Sequence, residues 1–258
     1  MKPATLTLDD ERLYPETPDR ATFHHHVARY EFARGRLAGS GRVLDAGCGT
    51  GYGTHLLSRK RAFTLGIDYA AQALEYARAR YAAPNLSFAA MNCHRLALAD
   101  STFDCVVCLE VFEHLEDSDA FLAECRRVLR PGGRLILSTP NQETHDLHMK
   151  SIGRKNEFHI NLMGLRGLKK MLRQHFDAVE IYGQRRRGSR LYAALRAMDV
   201  FNLRLRLVGS RERETLQKTM GVLVGAEAQP EAWMFSRSQL RQANTFVAVC
   251  RKKEVRER

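Results

Sequence analysis

At 258 residues and a formal net charge of +12, the chain is long enough for one large α/β domain and for a core that needs no disulfide or metal. It has no apolar run near the roughly 20 residues that span a bilayer. The start, MKPATLTLDDERLYPETPDR, carries acids and prolines where a secretory leader would be apolar, so the expected location is the cytoplasm, or at most the inner membrane surface. The cationic excess favours an acidic partner, whether RNA, an anionic membrane surface or a phosphorylated substrate.

A lead-in over 1–41 comes first, in which Phe23, Val27, Tyr30, Ala33 and Leu37 recur at helical spacing and predict an amphipathic helix. His24, His25 and His26 lie on it without the i, i+4 repeat that offers two imidazoles to one metal, and are read as structural or acceptor-facing. Next, VLDAGCGTGYGT (43–54) reads as a strand from Arg42 to Asp45, a turn containing Gly47, Cys48, Gly49 and Gly51, and a helix from Tyr52. Glycine lets bare backbone and a helix N-terminus approach a small ligand. A dinucleotide fingerprint needs a third glycine or alanine where Tyr52 or Thr54 stands, so that reading fails. Asp45 also argues against a pyrophosphate and suits a cationic or amine-bearing ligand.

TLGIDYA (64–70) is a second strand ending in Asp68 and Tyr69, followed by a helix over 71–82 and a third strand, LSFAAMN, with Asn92 and Cys93 at its end. A carboxylate at the second strand's end accepts paired ribose hydroxyls well, because it is acceptor-only. FDCVVCLEVF (103–112) is an apolar run of the kind found in a parallel sheet covered on both faces. Within it Cys105 and Cys108 face opposite sides, which makes them buried thiols instead of a zinc or redox pair. Leu109 and Glu110 end this strand, and Glu113 and His114 lie just beyond it. A helical stripe at Leu122, Cys125, Val128 and Leu129 stops at Pro131-Gly132-Gly133 before the strand RLILSTP. His159, in NEFHI, precedes a helix over 162–176, and AVEIYGQ is the sixth strand.

The segment 185–244 is longer than a compact connection. Its arginines, concentrated over 185–213, flank an apolar stripe at Leu191, Leu195, Met198, Phe201 and Leu205, which predicts a basic helical insertion acting as a lid or as a surface for RNA or an anionic membrane. TFVAVCRK and a basic tail (245–258) close the chain. The predicted architecture is a single α/β domain over 1–258, a doubly wound, seven-stranded, mostly parallel sheet with its core over 42–184.

Asp45, Gly47, Gly49 and Gly51 match, position for position, the D/E-x-G-x-G-x-G motif of class I S-adenosylmethionine (SAM) methyltransferases, and residues 43–141 resemble that family's motifs in order. The resemblance implies SAM as cofactor, bound by Asp45, Gly47, Cys48, Gly49 and Gly51 around its methionine part, Asp68 on the ribose, Tyr69, Asn92 and Cys93 around the adenine, and Leu109 and Glu110 beneath the sulfonium. A looser likeness, through ERLYPE, HHHVARYEFA, NEFHI and VEIYGQ, is to a bacterial group associated with glycan or small-molecule biosynthesis. The expected reaction is methylation of a small-molecule acceptor, most readily at oxygen, with sugar, lipid-linked glycan, quinone precursor and secondary metabolite all open. An RNA methyltransferase and a non-catalytic SAM-binding partner protein are the rivals. An alcohol acceptor needs a base, for which His114, His159 and Glu113 are the candidates. No carboxylate cluster announces a metal, and none is expected.

Overall fold

The computed structural model describes residues 13–16, 20–37, 39, 41–152, 159–186 and 233–254. In chain order its elements are α1 (Arg20–Arg34), β1 (Arg42–Ala46), α2 (Tyr52–Ser58), β2 (Phe63–Asp68), α3 (Ala71–Arg80), β3 (Leu86–Ala90), β4 (Phe103–Leu109), α4 (Ser118–Val128), β5 (Leu129–Pro140), α5 (Gln142–Ile152), α6 (Leu165–His175), β6 (Ala178–Arg186), β7 (Trp233–Ser236) and β8 (Thr245–Arg251), with short 3₁₀ turns at Phe112–His114 and Leu240–Gln242. The strands form one sheet in the order β3-β2-β1-β4-β5-β8-β6-β7.

The β1–β5 half is entirely parallel, since β2 pairs with β1 and β3 while β4 pairs with β1 and β5. The chain winds outward from β1 through β2 to β3, then returns to place β4 on the other side of β1. The order reverses between β1 and β4, and a crevice opens there beyond the strand ends, where open α/β sheets bind their ligands. The other half is antiparallel: β8 runs against both β5 and β6, and β7 against β6.

β4 shows why its sequence is apolar on both faces. Cys105 and Val107 pack with Tyr30, Phe32 and Leu57, whereas Val106 and Cys108 pack with Phe121, Leu122, Cys125, Leu168 and Leu172. Alternate side chains point to opposite faces, and helices cover both. The six cysteines are free thiols, five of them buried. α4 begins where Asp117 accepts the Ala120 N–H at 2.9 Å.

Two elements depart from the sequence reading. The sheet has an eighth strand, Trp233–Ser236, in the segment expected to be a helical insertion; of that segment's described residues, 185–186 end β6 and 233–244 hold this strand and a 3₁₀ turn. WMFS is too short to show a period, so its strand character comes from pairing with β6 (Gly183↔Ser236 to Arg186↔Trp233) and from Trp233 stacking on His25 at 4.1 Å. The predicted stripe from Leu191 to Leu205 lies outside the described residues. α5 is the other departure: QETHDLHMKSI has no broad apolar stripe to announce a helix, and it starts where Asn141 Oδ1 accepts the Glu143 N–H. Among the described residues no helix is long and apolar enough to cross a membrane.

Candidate active site

The loop after β1 is built from backbone. The N–H groups of Gly47 and Cys48 donate to the Ile67 carbonyl at 2.8 and 2.9 Å, which fastens the loop to the end of β2. Gly47, Gly49 and Gly51 all have positive φ, where other residues are strained. Their surroundings differ. A Cβ on Gly47 would lie 2.3 Å from Val111 Cγ2 and one on Gly51 2.6 Å from Ala77 Cβ, while one on Gly49 would meet open space. Gly49 therefore keeps the cleft accessible, whereas Gly51 serves packing and does not line the cleft.

Asp45 does not face the cleft either. It is fully buried beneath the loop, accepting from Thr54 Oγ1 at 2.7 Å and from the Tyr30 hydroxyl at 3.4 Å. Burial raises its carboxyl pKa to about 7, and the hydrogen bonds from Thr54 and Tyr30 only partly offset this. Its predicted contact with the ligand is thus replaced by a bracing role: it ties β1, α1 and α2 together under the glycines.

Asp68, at the carboxyl end of β2, is the acid that faces the cleft. Its Oδ2 accepts the Gly49 N–H at 2.8 Å and its Oδ1 the Ala70 N–H at 2.9 Å. A carboxylate accepts only, through about four lone-pair sites, which suits a diol. Tyr69 stands 78% exposed at the rim, placed to cover a planar ring. Asn92 and Cys93 line the same wall. Asn92 Oδ1 accepts from the His94 backbone N–H at 2.8 Å, and burial pushes the Cys93 thiol up to about 12, so it stays protonated.

The opposite wall follows β4. Glu110 adopts φ 55°, donates its backbone N–H to Ser138 Oγ and accepts the Ser138 hydroxyl at 2.7 Å. Its other oxygen lies 3.4 Å from Arg29, a fully buried cation that also donates to Gln184 at 2.8 Å. Glu113 is 1% exposed, and burial, followed by the Glu110 charge, raises its carboxyl pKa well above the usual range. The fold brings His159 from a distant segment: its ring lies 5.0 Å from that of His114, and the Asn161 N–H donates to the Glu113 carbonyl at 3.0 Å. The three predicted catalytic side chains thus share one locus, with ligand-type atoms of Glu113, His114 and His159 all within 4.8 Å of one another. That corrects the reading that no metal-binding group was in prospect, because the histidine completing the cluster is remote in sequence.

Between these walls lies a cavity of about 700 Å³. The glycine loop, Asp68, Tyr69, Asn92, Cys93, Leu109, Glu110 and His114 line it as expected, His26 lines it in keeping with the acceptor-facing alternative, and Leu13, Tyr30, Thr50, Tyr52, Met91, His94, Val111, Leu115 and Glu116 do so unannounced. α1 supplies His26 and Tyr30; helical spacing marked the face of Tyr30 as buried without saying that the helix closes a site. Burial and the neighbouring Arg29 charge hold His26 well below the usual histidine range, so it is neutral. Three carboxylates line the cavity, Asp68, Glu110 and Glu116, and no lysine or arginine among the described residues does. In a chain of net charge +12, this selects a cationic ligand. A sulfonium and ammonium with a ribose diol and a planar base fits the donor set.

The fold is that of class I SAM-dependent methyltransferases, and the site's donor set suits SAM, the methyl donor of that class. Residues 44–137 match the family model of a methyltransferase domain. Over 143 residues the chain is 40% identical to a probable SAM-dependent methyltransferase of Mycolicibacterium smegmatis, covering 55% of this chain and 54% of that protein. Over 116 residues it is 37% identical to a ubiquinone biosynthesis O-methyltransferase of Xanthomonas oryzae pv. oryzae, covering 44% and 48%. The chain spans about half the length of the curated relatives it matches. Among solved structures it superposes on a SAM-dependent methyltransferase of Thermotoga maritima with a TM-score of 0.63 at 16% identity, over 91% of this chain and 94% of that one. A complex of the Haloferax volcanii Trm112 activator with a methyltransferase gives a TM-score of 0.61 at 17% identity, over 92% and 94%. At such identities the likeness is one of fold.

Proposed function

We propose that the chain methylates a hydroxyl oxygen of a small molecule that enters beside Glu110, Val111 and His114. The observation that carries this reading is the cavity lining: acidic, aromatic and apolar groups with no lysine or arginine among the described residues, where a polyanion such as RNA would call for cations. The ubiquinone O-methyltransferases among the relatives favour oxygen as the acceptor atom.

Bound SAM supplies a methyl carbon activated by the sulfonium. We assign its ribose hydroxyls to Asp68, its adenine to Tyr69, Asn92 and Cys93, and its methionine arm to the backbone of Gly47, Cys48 and Gly49. Beneath the reacting carbon lie Leu109 and Glu110. The acceptor hydroxyl gives up its proton to the Glu113, His114 and His159 cluster or to water beside it. Its oxygen then bonds to the methyl carbon, the carbon–sulfur bond breaks, and the electron pair stays on sulfur. Holding the reacting atoms in line at about 3 Å supplies much of the acceleration, and His114, on the cavity wall, is placed to contribute by proton transfer.

The test is release of S-adenosylhomocysteine by the purified chain, supplied in parallel with a fractionated metabolite extract and with total RNA. Turnover in small-molecule fractions, with a methyl ether in the product, is expected. Turnover on RNA alone would overturn the acceptor class and move attention to the arginines of 185–213. SAM binding without turnover on either would favour a non-catalytic partner protein.

A further inference from the structure

We infer that Glu113, His114 and His159 form a binding site for a divalent transition-metal ion on the acceptor side of the cleft. Each side chain offers one ligand atom, and the three atoms lie within 4.8 Å of one another. Ligands about 2.1 Å from a tetrahedral ion are about 3.4 Å apart, so the three side chains would draw together on binding an ion. Two independent observations point to a cation. Glu113 is 1% exposed, and its Oε2 lacks a well-formed hydrogen bond, the neighbouring Thr139 hydroxyl being left equally unsatisfied, although buried carboxylate oxygens ordinarily have one. His159 is oriented from behind by His145, whose Nε2 lies 3.1 Å from His159 Nδ1. This contact assigns His159 Nε2 to the ion and supplies the outer-shell partner that metal-bound histidines characteristically have.

The chain holds these ligands with backbone. Glu113 and His114 sit on the 3₁₀ turn directly after β4, where the His114 N–H donates to the Val111 carbonyl at 3.0 Å. The segment carrying His159 is tied to that turn by the Asn161–Glu113 hydrogen bond and to α5 by the Gln142 N–H on the Met163 carbonyl. Two imidazoles with one carboxylate suit a borderline ion such as zinc, cobalt, iron(II) or manganese better than magnesium, which prefers an all-oxygen set. Three protein ligands also leave a position open, the pattern of catalytic rather than structural sites. His114 lines the cavity, so that position is available to an acceptor hydroxyl, whose acidity the ion would increase; with the ion bound, the proton passes to water beside the site, because the ligating nitrogens no longer accept it. The binding claim stands on the cluster alone. The role given to the ion rests on the proposed O-methylation.

The experiment uses the full chain freed of metal by chelation and titrated with cobalt(II), read by its visible absorption and by calorimetry, with SAM binding measured on the same samples. One ion per chain is expected, with at least 10-fold weaker binding in His159→Ala and in Glu113→Gln while SAM affinity in His159→Ala stays within about two-fold. Equal cobalt binding by wild type and both variants, or no binding above background, would overturn the site. If the metal-free chain retains full methyl transfer, the role falls while the methyltransferase reading stands. If it binds no SAM with or without cobalt, it is that reading which fails. His159 does not line the cavity, so a folding defect would show as lost SAM binding, and His159→Gln then replaces it.

Discussion

The two walls of the cleft are built by opposite means. On the proposed cofactor side the wall is mostly backbone, fixed by internal hydrogen bonds: positive-φ glycines, the Gly47 and Cys48 N–H groups on Ile67, and Asp68 bracing Gly49 and Ala70. Across the cleft, the working groups are titratable side chains from segments far apart in the chain: Arg29 on α1, Glu110 and Glu113 after β4, His145 on α5 and His159 beyond it. A backbone cradle commits one wall to a constant ligand. Side chains gathered from many places can be exchanged singly, so the other wall is free to define the acceptor.

The largest expected effects strike the cradle. Asp68→Ala removes both backbone braces and the proposed diol acceptors, and SAM affinity should fall at least about 100-fold by calorimetry, about 2.8 kcal/mol at 1.4 kcal/mol per tenfold. Gly47→Val places a side chain 2.3 Å from Val111 at φ 75° and should abolish binding comparably. If either variant binds SAM normally, the contrast between the walls collapses. His114→Ala tests the opposite wall: turnover should drop about 10²–10⁴-fold, the usual contribution of a proton-transfer group, while SAM affinity moves less than about three-fold. Equal losses in both would mean that His114 shapes the cofactor site instead.

Legibility in the sequence follows the same division. The cradle was readable because each of its requirements is local: a glycine for positive φ, an acid at a strand end, an apolar run for a strand covered on both faces. Even there, a motif could not tell facing from bracing, since Asp45 and Gly51 fit the pattern yet lie behind the loop. Arg29 escaped notice because a basic residue on an amphipathic helix ordinarily points to solvent, and only the fold supplies its buried partners Gln184 and Glu110. The cluster at His159 was hidden for a related reason. Its candidates were named singly, but their meeting depends on how the chain returns after α5, which no local spacing records.

Asp45 gives a pH test of the bracing role. Its carboxyl pKa rises from an ordinary 3.8 to about 7 in the folded chain. Between those values the folded state keeps a proton that the unfolded state has lost, so stability falls as pH rises from about 4 to 7 and is level above that. About three units at 1.36 kcal/mol each bounds the change at about 4 kcal/mol. Asp45→Asn keeps an acceptor for Thr54 and has no charge to lose. Its denaturation midpoint relative to wild type should therefore rise across that window. Parallel pH profiles for the two proteins would show that Asp45 does not titrate there.

The smallest effect belongs to the antiparallel edge, far from both walls in function. Trp233 stacks on His25 at 4.1 Å, and β7 pairs only with β6 at the border of the sheet. Trp233→Ala forfeits an aromatic pair worth about 0.5–1.5 kcal/mol together with part of the apolar area that the indole covers. His25, which also contacts Arg29 at 3.1 Å, remains in place. Chemical denaturation should show a loss of about 1–2 kcal/mol, with SAM affinity and turnover unchanged. A marked loss of turnover instead would mean that the edge strand transmits to Arg29 and Glu110 through His25, and the division between a committed wall and an adaptable one would then have to include β7.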